Sequence, residues 1–213
     1  MRGLLKKDFC LLKTQRNFLL LIVVMTCFIG YNSSDGNFAV PYLTFLSSFL
    51  LLSSFNYDDN GGCISFLLTL PVSRSGYVRE KYIFGICLTT SGWVIGLLID
   101  TGMSLVRGKQ LPALGSSVAI LMGFFVFISV LIPVIFRYGV DRGRIVICFV
   151  ILMIVGVLYF GDKLLAGMDV ETVLSRLFAG RRAFLLACET AVTPAVCAAS
   201  YGISVQILKR KEF

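Results

Sequence analysis

The sequence predicts an all-α integral membrane protein, a single transmembrane domain over 1–213. It has six transmembrane helices, both termini in the cytoplasm (N-in/C-in), and an N-terminal amphipathic helix in the membrane interface. Three observations predict this. The chain is 57% hydrophobic and only 15% charged, with mean hydropathy +0.86, whereas a soluble domain carries about 25% charged residues. A helical span takes about 20 apolar residues, so spans and short loops use up all 213 residues. Finally, Lys and Arg are spread unevenly along the chain, as the positive-inside rule requires.

Residues 1–17 alternate apolar and basic side chains: Leu4, Leu5, Phe9, Leu11 and Leu12 against Arg2, Lys6, Lys7, Lys13 and Arg16. At helical spacing this is a basic amphipathic segment that can lie in the interface; an ordinary basic flank of the first span is the plainer reading. Span one covers Phe18–Tyr31, and the polar run Asn32–Gly36 makes a turn. Span two covers Asn37–Phe55, with Pro41 near its start, where no helical N–H is lost. A polar segment, 56–81, follows on the cytoplasmic side. Span three covers Tyr82–Val106, and Arg107–Ser116 is a short loop. Span four covers Ser117–Phe136, with Pro133 expected to break its last turn. Arg137–Arg144 is a compact basic loop, and span five covers Ile145–Phe160. Segment 161–182 mixes charges with Leu164, Leu165, Val173 and Leu177 at helical spacing. It is too polar to span, which leaves short extracellular helices dipping into the outer leaflet, or a solvated loop. Span six covers Ala183–Leu208.

The basic residues then orient the bundle. One side holds five in the N-terminus, three in 56–81 (Arg74, Arg79, Lys81), three in 137–144 and three at the C-terminus. The other side holds six: Arg107, Lys109, Lys163, Arg176, Arg181 and Arg182. The richer side is the cytoplasm. In so apolar a chain this asymmetry accounts for the +8 net charge, and nucleic acid is not an expected partner.

Composition also excludes chemistry. There is no histidine, hence no imidazole acid–base catalysis and no His-rich metal site. The seven cysteines are scattered, odd in number and without a CxxC pair, so they are taken as small hydrophobes. No catalytic, cofactor or metal residue is expected. Gly102–Gln110 contains Gly-Lys, but the spacing is one residue too long for a phosphate-binding loop, and Gln110 replaces the Mg²⁺-binding Ser or Thr. Any ATP or Mg²⁺ therefore belongs on another polypeptide.

Inside the spans, Gly92 and Gly96 form GxxxG, and Ala191, Ala195 and Ala199 recur every four residues. Such rows let helix backbones approach closely, while Pro194 can bend span six. Glu189 is the one acid well inside a span. It either faces a cavity or partner helix, or reaches water at the outer interface. Asp100 shares that ambiguity and belongs near the outer end of span three.

The most informative segment is Phe55–Tyr82. Asp58 and Asp59 precede a short apolar stretch, Cys63–Leu70, which stops at Pro71 and is followed by Arg74, Arg79, Glu80 and Lys81. A helix of two or three turns on the inner surface fits, with the two aspartates at its positive N-terminal end, Pro71 ending it, and Gly61–Gly62 weakening its first turn.

With its basic N-terminus, Tyr57–Asp58–Asp59 after span two, and Leu70–Pro71–Val72–Ser73–Arg74 leading to Tyr77–Val78 and Lys81–Tyr82, the chain resembles the small ABC-2 type permeases. These are membrane subunits of ABC transporters without a fused ATPase. Gly61–Gly62 departs from the bulky or acidic residue usual there. Within the family, the likeness leans to permeases of bacterial peptide-toxin exporters of the phenol-soluble-modulin type. The resemblance implies that 56–81 carries a coupling helix, with Asp58, Asp59, Cys63, Phe66, Leu67, Leu70, Pro71 and Arg74 meeting a separate ATP-binding subunit. It also implies two ATPases, a second permease chain (homodimer or heterodimer), and the plasma membrane of a bacterium. The apolar, aromatic spans suit an amphipathic peptide or hydrophobic solute as cargo, since they offer no ring of charges. The alternatives are a permease for drug resistance or self-immunity, and a membrane immunity protein that uses no ATP. A secondary transporter would be expected to show inverted repeats and midplane acids; no repeat and a single ambiguous acid, Glu189, argue against it.

Overall fold

The computed structural model describes residues 2–32, 38–59, 73–108, 114–140, 142–143, 145–146, 148 and 182–210. Its long elements are helices: α1 (Arg2–Thr14), α2 (Arg16–Asn32), α3 (Ala39–Asp59), α4 (Arg74–Arg107), α5 (Leu114–Tyr138) and α6 (Arg182–Arg210). By length and composition α3, α4, α5 and Glu189–Arg210 of α6 can each cross a membrane, and α1 with α2 can form a fifth, broken span. Most of the expected span five and residues 161–181 lie outside the described residues.

The chain bends by 64° between Lys6–Thr14 and Arg16–Tyr31. The amphipathic segment is thus its own helix, set at an angle to span one. Gln15 sits at the break, and its side chain donates to Ser53 Oγ of α3 at 2.6 Å.

Helices α3 and α4 form an antiparallel pair whose contacts descend about one turn at a time. Asp100 accepts from Ala39 and Val40, Gly96 lies on the backbone at Ala39–Val40, and Gly92 meets Leu43 and Ser47. Thr89 bonds Ser48, Gly85 meets Leu51, Lys81 meets Ser54, and Tyr77 meets Asp58. The expected glycine face is therefore the surface that receives α3, with no side chain to hold the backbones apart. Asp100 is buried, and its two oxygens take the first amides of α3 at 3.1 and 3.0 Å. Those N–H groups have no intrahelical partner, so a carboxylate from a neighbouring helix does the work of an N-cap.

Two expectations about helix ends are corrected. Segment 56–81 is not a loop throughout, because α3 runs on to Asp59 and α4 begins at Arg74. At about 1.5 Å per residue, the 34 residues of α4 reach about 51 Å, well beyond a hydrocarbon core of about 30 Å. The helices outlast their apolar runs because the charges on their ends neutralise one another. Pro133, for its part, does not break span four: α5 continues to Tyr138. Proline leaves the carbonyl of Ser129, four residues earlier, without its helical donor. The hydroxyl of Ser200 on α6 donates to that carbonyl, the kind of substitute donor that membrane helices use.

Direction follows from these contacts. Trp93 reaches Ser117, Gly85 meets Ile128 and Tyr77 meets Phe136, so α5 is antiparallel to α4. Tyr82 meets Ser200 and Ser204, and Arg74 reaches Leu208 and Lys209, so α6 is also antiparallel to α4. Hence α5 and α6 run parallel. The core gathers Leu51, Phe55, Phe84, Ile128, Leu131 and Ile132 from α3, α4 and α5. Phe18, Leu20, Leu21, Val24 and Phe28 of α2 remain more than half exposed, as lipid-facing residues would be.

Candidate functional site

The ends of α3 and α4 that flank residues 60–72 are held by a buried cluster of charges. Ser73 opens α4: its Oγ accepts from the Gly76 amide at 3.1 Å. Two turns on, Lys81 has no exposed surface. Its Nζ lies 2.7 Å from Asp8 Oδ2, 2.8 Å from Asp58 Oδ2 and 2.5 Å from Ser54 Oγ. Asp8, from α1, is equally buried and also accepts from Ser54 at 2.8 Å. Asp58, on the last turn of α3, accepts from Tyr77 Oη at 2.8 Å and pairs with Lys7. The rings of Phe55 and Tyr77 lie 5.3 and 5.6 Å from Lys81 Nζ, an additional cation–π contribution. Glu80 is buried beside this group, 3.9 Å from Lys81.

An ammonium without water is costly unless its charge and its donors are all met. Lys81 meets them with partners from two other helices, so the arrangement fixes α1, α3 and α4 relative to one another. Next to it, Arg74 Nη1 donates to the carbonyls of Leu208 and Lys209, 3.0 Å each. Those carbonyls belong to the C-terminal turn of α6, whose acceptors the helix leaves free and whose dipole favours a cation. Tyr82 Oη bonds Ser200 and Ser204 at 2.6 and 3.0 Å. The start of α4 is thereby tied to α1, α3 and α6, while Asp59 accepts weakly, at 3.4 Å, from the Val140 amide just past α5.

The predicted site residues divide accordingly. Cys63, Phe66, Leu67, Leu70 and Pro71 lie outside the described residues. Asp58 and Asp59 end α3, which corrects their assignment to the positive N-terminal end of a surface helix. Asp58 is held instead by Lys7, Lys81 and Tyr77. Arg74 is the first residue of α4 and clasps α6. Glu189 is exposed on α6. Its backbone carbonyl accepts from Thr193 Oγ1 at 2.6 Å. Sequence reasoning missed Asp8, Lys81 and Glu80 as a unit. Lys7 and Lys81 looked like basic flanks. The available signal was opposite charge at the same end of three neighbouring elements.

A bundle of helices long and apolar enough to cross a membrane, tied together at one end, defines a membrane-embedded helical protein. The chain matches the ABC-2 family transporter protein model over residues 3–209 and belongs to that family. It is a permease component of an ABC transporter, of a family whose members generally associate with ABC ATPases and are generally not themselves catalytic. No curated protein and no solved structure matches it.

Proposed function

We propose that this chain is the permease of an ATP-driven bacterial plasma-membrane exporter. It works as one of two permease chains served by two separate ATPases that carry the ATP and Mg²⁺. Residues 60–72 form the docking segment, facing the cytoplasm. The observation that carries this reading is the locked frame on either side of them: a push on 60–72 arrives at the ends of α3 and α4, and Lys81 and Arg74 pass it to α1 and α6. The parallel course of α5 and α6 places the end of one and the start of the other on opposite sides of the bundle. This supports a further crossing between them, and hence six spans.

For the cargo, we infer an amphipathic peptide of the membrane-active toxin type, with a hydrophobic solute next. An apolar groove of about 800 Å³ supports this. Phe18, Ile22, Phe45 and Phe49 form its wall, and Gln15, Ser53 and Asn56 line its polar portion near the α1–α2 bend. A peptide with one apolar and one polar face matches both portions. The test is reconstitution with the ATPase in inverted vesicles. Amphipathic helical peptides should stimulate ATP hydrolysis and accumulate inside; stimulation by a sugar or inorganic ion alone would overturn the cargo assignment.

A further inference from the structure

We propose that the buried charge cluster is a proton-binding site, in which Glu80 carries one proton and donates it in a hydrogen bond to Asp8. The site lies before the apolar run that begins at Tyr82. The charged and titratable groups facing Glu80 are Lys7 and Asp8 from α1, Asp58 from α3, and Tyr77 and Lys81 from α4. Three carboxylates against two ammonium groups leave one negative charge in excess, with Asp8, Asp58, Glu80 and Lys81 buried and Lys7 alone reaching solvent. The hydrogen bonds show the same deficit. Asp8 Oδ1 and both Glu80 oxygens are buried with no hydrogen-bond partner among the described residues, although the two side chains are within hydrogen-bonding reach. Two carboxylates facing each other have four acceptors and no donor. One proton on Glu80 answers both faults: the cluster becomes neutral, and the new O–H supplies Asp8 Oδ1 with the donor it lacks, pairing two of the three unpartnered oxygens. A metal ion is the weaker occupant, because Lys81 Nζ already fills the space between Asp8 Oδ2 and Asp58 Oδ2, and the described residues offer no group of three or more ligands placed to hold one. The proton comes from bulk water and returns there. Its loss leaves two like charges in contact and loosens α1 from α4.

The experiment is infrared difference spectroscopy on the full chain in lipid nanodiscs at neutral pH. Wild type should show the carbonyl band of a protonated carboxylic acid, and Glu80→Gln should lack it. Asp8→Asn should lack it too, because that change neutralises the cluster and offers Glu80 an amide donor, so the proton is no longer needed. Wild type should lose the band and thermal stability together as pH is raised, whereas Glu80→Gln should have lost that pH dependence. Absence of the band from wild type, or its survival in either variant, would overturn the proposal. Asp8→Asn keeps the test decisive should Glu80→Gln fail to fold.

Discussion

Lys81 Nζ sits 2.7 Å from Asp8 Oδ2, with neither side chain touching solvent. Seventy-three residues separate them, so the pair closes the N-terminal helix onto the middle of the chain. Replacing both partners of a buried pair with apolar groups is often tolerated, whereas removing one leaves a charge stranded. Lys81→Met should therefore cost about 3–5 kcal/mol, since Asp8 and Asp58 both lose their buried counter-ion. Unfolding titrations in mixed micelles would measure it. The double variant Asp8→Asn/Lys81→Met should recover part of the loss, and the coupling between the two changes should exceed that of any exposed pair.

Gly96 and Gly102 lie on the same helix and should answer alanine in opposite senses. A Cβ at Gly96 would fall 2.8 Å from Val40 Cα and 3.0 Å from the Ala39 carbonyl. Those are backbone atoms that cannot rotate away. Gly96→Ala should destabilise by about 1–3 kcal/mol, as overpacking does. Nothing lies within 4 Å of a Cβ at Gly102, so Gly102→Ala should stabilise by about 0.5–1 kcal/mol through helix propensity alone. Thermal unfolding of the two variants side by side gives the comparison.

The small-residue spacing at Gly92 and Gly96 was legible because close helix approach leaves a local trace, one glycine per turn. Apolar runs likewise marked the described membrane helices and their order. The charge cluster was not legible, because its members come from residues 7–8, 54–58 and 77–81 and only packing brings them together. Asp100 shows the same limit: its position toward one end of a span was readable, but its use as a cap for α3 was not. Pro133 misled for a related reason. A proline breaks a helix when its lost hydrogen bond has no substitute, and Ser200, 67 positions later in the sequence, supplies one.

Orientation can be tested at the two ends of α4. Ser73 and Gly108 flank this helix and therefore lie about 50 Å apart along it. Single cysteines placed there, in a chain with its native cysteines replaced, should label differently. The cysteine at 108 should react with an impermeant maleimide in intact cells, and the one at 73 only after lysis. Labelling at 73 from outside would invert the bundle and overturn docking on 60–72.

Arg74 gives the sharpest test of how a push at 60–72 reaches the rest of the protein. Its guanidinium holds two carbonyls at the end of α6, yet the groups that would bind an ATPase lie earlier in the chain. Arg74→Ala should thus leave the ATPase bound while releasing α6 from the start of α4. Both bonds come from the one nitrogen Nη1; a lysine in its place keeps the charge and can donate, but its ammonium ends one bond short of that position and lacks the other guanidinium donors, so Arg74→Lys should fall between wild type and alanine. The expected signature is a separation of two readouts. Pull-down of the ATPase should be unchanged, and transport per ATP hydrolysed should drop about tenfold in Arg74→Ala, equivalent to about 1.4 kcal/mol. Spin labels on α4 and α6 should show a broader distance distribution in the same variant. If binding and transport fall together, Arg74 belongs to the docking surface itself; if neither changes, the clasp on α6 carries no part of the motion.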